Sequence, residues 1–189
     1  MALIESYNNV LQEELCFKII EMFEEEEHDK GLTGSGILDE TVKKTNDYFS
    51  GDWKTEKWQL IEDIIKMTLH KYIRKFYKDN SIKDISVYSN MQDGGYQIQK
   101  YSQEDGFYKV HNDFTINEKG FRVLAFIFYL NTVEEGGETE FTIHNVKIRP
   151  EQGKLVIFPA CWTYPHRGCM PISSSKYIIT GWIYGQLSI

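Results

Sequence analysis

His111, Asn112 and Asp113 place an imidazole and a carboxylate two residues apart at the end of a run, Tyr108–Asp113, that reads as a β-strand. Residues i and i+2 of a strand point to the same face, so the two side chains converge on one point. Alone, the pair is more often the pattern of a surface turn in which Asp113 bonds its own backbone. A second histidine, His166, follows the run Val156-Ile-Phe-Pro-Ala-Cys-Trp-Thr-Tyr-Pro, a strand closed by a proline-bounded turn. Two histidines and one carboxylate fill one face of an octahedron and leave three positions open, the facial triad of non-haem iron oxygenases. Zinc hydrolases more often use three histidines, or two histidines and a glutamate, in tetrahedral geometry. Iron(II) is therefore the expected ion, and ligand identity alone leaves zinc and manganese open.

Lys176 follows His166 at the start of an apolar strand, Tyr177-Ile-Ile-Thr-Gly-Trp. A cation entering such a strand is costly unless it meets an anion. It is either a lysine at a strand edge or the anchor of a carboxylate, for which the distal carboxylate of 2-oxoglutarate is the natural occupant beside a triad.

Two textures must position these residues. Up to about residue 80 the apolar side chains recur at helical spacing. Val10, Leu11, Leu15, Ile19, Ile20 and Phe23 form one stripe, and Trp58, Ile61, Ile64, Ile65, Thr68, Leu69, Tyr72, Ile73 and Phe76 a second, with Gly31–Gly36 breaking the chain between them. From residue 81 the pattern changes to short β-type runs: Ile85–Met91, Gly95–Lys100, Tyr108–Asp113, Arg122–Asn131, Thr139–Phe141, Lys147–Ile148, Lys154–Phe158 and Tyr177–Tyr184. Turn chemistry separates them at Asp93-Gly94-Gly95, Asn117–Gly120, Glu135-Gly136-Gly137 and Pro150–Gly153. The expectation is one mainly β domain, 1–189, in which residues 1–80 are mostly helical support on one sheet and 81–189 a jelly-roll core.

Composition narrows the function. With 41% apolar and 14% aromatic residues there is material for a full core, and the formal net charge of −7 disfavours a general nucleic-acid partner. Glu24–Glu27 reads as a solvated helix end. Cys16, Cys161 and Cys169 make neither a disulfide framework nor a C-x-x-C pair, which fits a reducing compartment. The start lacks the pattern of a secretory signal and Val123–Leu130 is too short to span a bilayer, so no membrane partner is expected and cytoplasmic residence is the default.

Tyr101…Tyr108-Lys-Val-His111-Asn-Asp113, Arg122…Tyr129-Leu-Asn131, Gly136-Gly-Glu-Thr139-Glu-Phe141 and Phe158-Pro…His166-Arg-Gly…Lys176…Thr180-Gly-Trp182 follow one another in order. This series resembles the prolyl-4-hydroxylase-type branch of the iron(II)/2-oxoglutarate dioxygenases, in its compact microbial or viral form. The resemblance implies a double-stranded β-helix core, iron(II) on His111, Asp113 and His166, and 2-oxoglutarate and O2 as co-substrates, with ascorbate as a candidate reductant. It implies co-substrate contacts at Tyr101, Tyr129 and Thr180 beside Lys176, with core packing as the competing role of each. It also implies hydroxylation of a prolyl residue in a peptide or protein, with a free amino acid or other small metabolite as the alternative substrate. Trp182, Arg167, Trp162 and Tyr164 are candidate substrate contacts. The sequence leaves oligomeric state open and admits two other classes: a non-catalytic jelly-roll binding module and a zinc hydrolase.

Overall fold

The structure, a computed structural model, describes residues 2–82, 91–118 and 120–185. The chain runs β1 (Glu5–Tyr7), α1 (Glu13–Glu24), β2 (Asp29–Lys30), β3 (Lys43–Lys44), β4 (Asn46–Phe49), a 3-10 turn at Ser50–Asp52, then α2 (Glu56–Asp79). The remainder is β5 (Met91–Tyr101), β6 (Phe107–His111), β7 (Ile116–Asn117), β8 (Gly120–Tyr129), β9 (Thr139–Phe141), β10 (Val146–Ile148), β11 (Leu155–Pro159), β12 (His166–Gly168) and β13 (Lys176–Gly185).

Two antiparallel sheets face each other. The larger has the order β1-β11-β8-β13-β5-β4-β2, with β7 hairpinned onto β8; the smaller has the order β10-β9-β12-β6-β3. The central strands of the large sheet are apolar on both faces because both are covered. Leu124, Phe126 and Phe128 of β8, with Leu155 and Ile157 of β11, point to the helices, where they meet Ile19, Phe23, Ile65, Leu69 and Phe76. The alternate residues Ala125, Ile127, Tyr129, Val156 and Phe158 point the other way and pack with Phe141 of the small sheet. This is the jelly roll with helices on one sheet. The α2 stripe starts where Thr55 caps the helix by accepting the Trp58 N–H.

Three features differ from the sequence reading. Residues 1–80 are not only helical support, since β1 to β4 extend both sheets; runs of two to four residues are too short to show a period of two. Asp93-Gly94-Gly95 lies inside β5 rather than at a turn. Ile183 pairs with Asp93 and Gly181 with Tyr96, so Gly94 and Gly95 together oppose Trp182 in a bulge. A side chain on Gly94 would strike the Tyr184 ring, and Gly95 sits at φ +93°, which favours glycine. The third is β12, a short strand that carries His166 where a turn was expected. The expected strand Ile85–Met91 falls outside the described residues except for Met91, which opens β5. No described helix is long and apolar enough to cross a membrane.

Candidate metal centre

His111 ends β6 and His166 opens β12, and the two residues are direct cross-strand partners. Asp113 lies just past the end of β6 and is buried. The imidazole centroids are 4.4 Å apart. One Asp113 carboxylate oxygen lies 4.0 Å from His111 Nε2 and the other 3.6 Å from His166 Nε2. One ligand atom from each of the three residues falls within 4.8 Å of the others, a set one divalent ion can bridge.

Local chemistry prepares both rings. His111 Nδ1 is 2.8 Å from the Lys109 carbonyl and His166 Nδ1 is 3.0 Å from the Tyr164 carbonyl. A carbonyl only accepts, so each Nδ1 carries the proton and each Nε2 lone pair faces the cluster, as a metal ligand requires. Burial, reinforced by the neighbouring His166, pushes the His111 pKa down to about 4, which keeps it neutral at pH 7. Phe141 and Phe158 wall His166, with centroids 5.5 and 4.9 Å from the imidazole.

The triad opens into a cavity of about 350 Å³ between the sheets. At its far end Lys176 is only 1% exposed. Its Nζ donates to the Gly137 carbonyl at 2.8 Å and lies 3.9 Å from the centre of the Tyr101 ring. Among the described residues no carboxylate is within ion-pair distance of it. Burial without such a partner pulls the Lys176 pKa down to about 7.

Tyr101 and Thr180 also line this cavity, Tyr101 donating to Gln99 at 3.2 Å and Thr180 to the Phe126 carbonyl at 2.8 Å. Tyr129 does not line it: its hydroxyl donates at 2.7 Å to Thr139, and Thr139 is the residue that does. Trp182 lines the cavity nearer the triad, with the Arg122 guanidinium 3.5 Å above its ring. The other three candidate substrate contacts lie outside it. Arg167 is held outward by Glu140 at 2.6 Å. Trp162 is 71% exposed. Tyr164 packs under the sheets and accepts the Leu3 N–H at 3.1 Å.

Sequence reasoning gave no role to Arg122, Thr139, Gln99, Tyr108 or Lys43, all of which line the cavity. The alternation Gln97-Ile98-Gln99-Lys100-Tyr101 was a signal for Gln99, since Ile98 packs under the helices and its neighbours face inward. Thr139 and Arg122 stood inside the quoted motifs without an assigned task. The segment 31–52 supplies Leu32, Thr33, Gly34, Gly36, Lys43 and Phe49 to the wall.

The jelly roll holds two histidines, one carboxylate and an inward lysine in one cavity. Residues 96–184, the stretch that carries them, match the family model of the 2OG-Fe(II) oxygenase superfamily. Prolyl 4-hydroxylase 13 of Arabidopsis thaliana is 31% identical over 115 residues, which are 48% of this chain and 41% of the plant protein. Probable prolyl 4-hydroxylase 9 of the same plant is 29% identical over 111 residues, 47% of this chain and 38% of that one. The match thus spans less than half the length of these relatives. Among solved structures, the viral collagen prolyl hydroxylase of Paramecium Bursaria Chlorella virus-1, as its 2OG complex, superposes with a TM-score of 0.70 at 19% identity, covering 98% of this chain and 97% of that one. A Trichoplax adhaerens prolyl hydroxylase in complex with a hypoxia inducible factor peptide gives a TM-score of 0.73 at 18% identity, covering 96% and 83%. These two show a shared fold.

Proposed function

We propose that this protein is an iron(II)- and 2-oxoglutarate-dependent dioxygenase that hydroxylates a prolyl residue in a peptide or protein. The observation that carries the reading is Lys176, a buried ammonium with one carbonyl acceptor and no carboxylate, facing the same cavity as the triad. Two imidazoles whose Nε2 lone pairs face a common point and a carboxylate suit a divalent ion and leave room for further ligands. When bound, iron(II) supplies the oxidation that couples conversion of 2-oxoglutarate to succinate and CO2 with insertion of oxygen from O2 into a C–H bond.

The chain's own residues bind, orient and exclude water. Lys176 pairs with the distal carboxylate of 2-oxoglutarate. Thr139, whose oxygen already accepts from Tyr129, has its own hydroxyl proton left to donate to the same carboxylate. Ile127, Phe158 and Ile178 keep this end of the cavity apolar, which strengthens the charge pairing. At the other end Arg122 donates to the Tyr184 hydroxyl at 3.0 Å and the Asp113 carbonyl at 3.3 Å, and among the described residues it has no carboxylate partner. It is placed to donate to a carbonyl of a peptide while Trp182 and Phe49 flank a proline ring. The plant relatives' names support the prolyl assignment.

The test is succinate formation from 2-oxoglutarate with ferrous iron, wild type beside His166→Ala, with and without a proline-rich peptide. The expected result is wild-type turnover that rises with peptide and a gain of one oxygen on proline. Turnover indifferent to peptide would move the substrate to a small metabolite, and no turnover by iron-loaded protein would leave a binding module.

A further inference from the structure

The cavity wall holds a second buried cation that the proposed chemistry does not use. Lys43 is 3% exposed and its Nζ donates at 2.7 Å to Asp47, itself 1% exposed. The other Asp47 oxygen accepts from the Thr45 hydroxyl at 2.8 Å. The pair bridges the two sheets, because β3 pairs with β6, with Lys43 opposite Tyr108, while β4 pairs with β5, with Asp47 opposite Gln99. Gly31 packs against it so closely that any side chain there would collide with Thr45 and the Lys43 stem. Burying two charges is seldom the stablest way to fill such a space, since apolar residues of equal volume do as well or better. The pair therefore calls for a role beyond stability.

Its neighbour supplies one. The Lys43 ammonium lies 5.4 Å from the centre of the Tyr108 ring, and that ring stacks on the His111 imidazole at 3.5 Å and 15°. Tyr108 is held from its other end by the Gly34 N–H, which donates to its hydroxyl at 3.1 Å. His111 needs this support more than His166 does. The His166 side chain is 6% exposed and walled by two phenylalanines, whereas that of His111 is 18% exposed. One hydrogen bond from Nδ1 fixes the His111 tautomer but leaves the ring free to tilt; the stacked Tyr108 limits that tilt.

Resting on the reading of His111 as a metal ligand, we propose that Lys43 and Asp47 are positioning residues for the metal site, acting through the Tyr108 ring. The segment 31–49 that walls the cavity is thereby tied to the metal, and loosening it weakens metal binding.

The experiment is titration of the metal-free protein with Co(II), followed by its visible d–d absorption, with thermal unfolding in parallel. The variants are Lys43→Met/Asp47→Leu, Tyr108→Leu, Tyr108→Phe and the combination of the first two. The expected result is a 10- to 100-fold (order-of-magnitude) loss of Co(II) affinity and an altered spectrum, both in the folded charge-pair variant and in Tyr108→Leu. The combination should lose no more than the larger of the two single losses, as one shared route requires. Tyr108→Phe, which keeps the ring, should lose less than Tyr108→Leu. A folded charge-pair variant with wild-type affinity and spectrum overturns the proposal, and additive losses overturn the route through Tyr108. If the charge-pair variant does not fold, equal affinities of Tyr108→Leu and Tyr108→Phe overturn it instead. Failure of the wild type to bind Co(II) would strike the metal reading itself, a separate result.

Discussion

Replacing Lys176 by methionine should weaken 2-oxoglutarate binding while leaving the ligand-free fold as stable or stabler. The ammonium is fully buried and its one hydrogen bond goes to a neutral carbonyl. Removing one partner of a desolvated charge pair costs about 2–5 kcal/mol. At ~1.4 kcal/mol per tenfold, the middle of that range is roughly a 300-fold rise in Kd. A 2-oxo acid lacking the distal carboxylate, such as 2-oxobutyrate, should bind both proteins alike. Without ligand the charge has no anion to meet. Its folded pKa, pulled down to about 7, means the unfolded chain holds more protons between there and the ordinary lysine value of 10.5. Wild-type stability from this group therefore rises with pH through that window and is flat below it. The methionine variant should lack this slope and melt no lower than wild type at pH 7. In the wild type, 2-oxoglutarate must recruit a proton above pH 7, so its affinity should fall by about tenfold per unit until the pKa of the complex is reached. Anaerobic calorimetric titration with Mn(II) in place of iron, at several pH values, measures the affinities, and thermal unfolding of the ligand-free proteins over the same pH range measures the stability slope. Unchanged 2-oxoglutarate affinity in the variant, or a ligand-free melting point several degrees lower, would refute the anchor.

Three further outcomes follow from the same structure. Chelation should abolish succinate formation, with ferrous ion and not zinc restoring it, and His111→Ala or Asp113→Ala should stay inactive at any iron concentration; activity counts check this. Gly181→Ala would put a methyl 2.5 Å from the Gly95 carbonyl and 2.7 Å from the Phe126 ring, so a loss of about 1–3 kcal/mol is expected by chemical denaturation. Ile65→Ala empties a fully buried site between α2 and the large sheet. It should cost about 2–5 kcal/mol, lowering Tm by roughly 5–15 °C without changing 2-oxoglutarate affinity.

That His111, Asp113, His166 and Lys176 share one cavity was legible because imidazole, carboxylate and ammonium in an apolar setting have few uses. Both helical stripes were legible because apolar spacing persists over several turns. Four short strands were not, since β1 to β4 are defined by pairing partners distant in the chain. The glycines at 94 and 95 misled for a related reason: a bulge and a turn ask for the same residues, and only the opposing Trp182 tells them apart.

Tyr129 and Arg167 show the limit for side chains. Tyr129 sits on the cavity-facing side of β8 as its alternation requires, yet Thr139 intervenes and accepts its hydrogen bond. Arg167 adjoins His166 in sequence, but consecutive strand residues face opposite ways, so it meets Glu140 outside while His166 turns inward. Lys43 is the converse case. Nothing in Val42-Lys43-Lys44-Thr45 distinguishes a buried lysine from a solvated one, and Lys44 beside it is in fact partly exposed, paired with Asp105. What separates the two lysines is the pairing of Lys43 with Tyr108 across the sheet, which puts one ammonium over the ring that backs His111 and turns the other away. The candidate ligands are legible as residue types in the sequence; the side chains packed around them are set by the strand register.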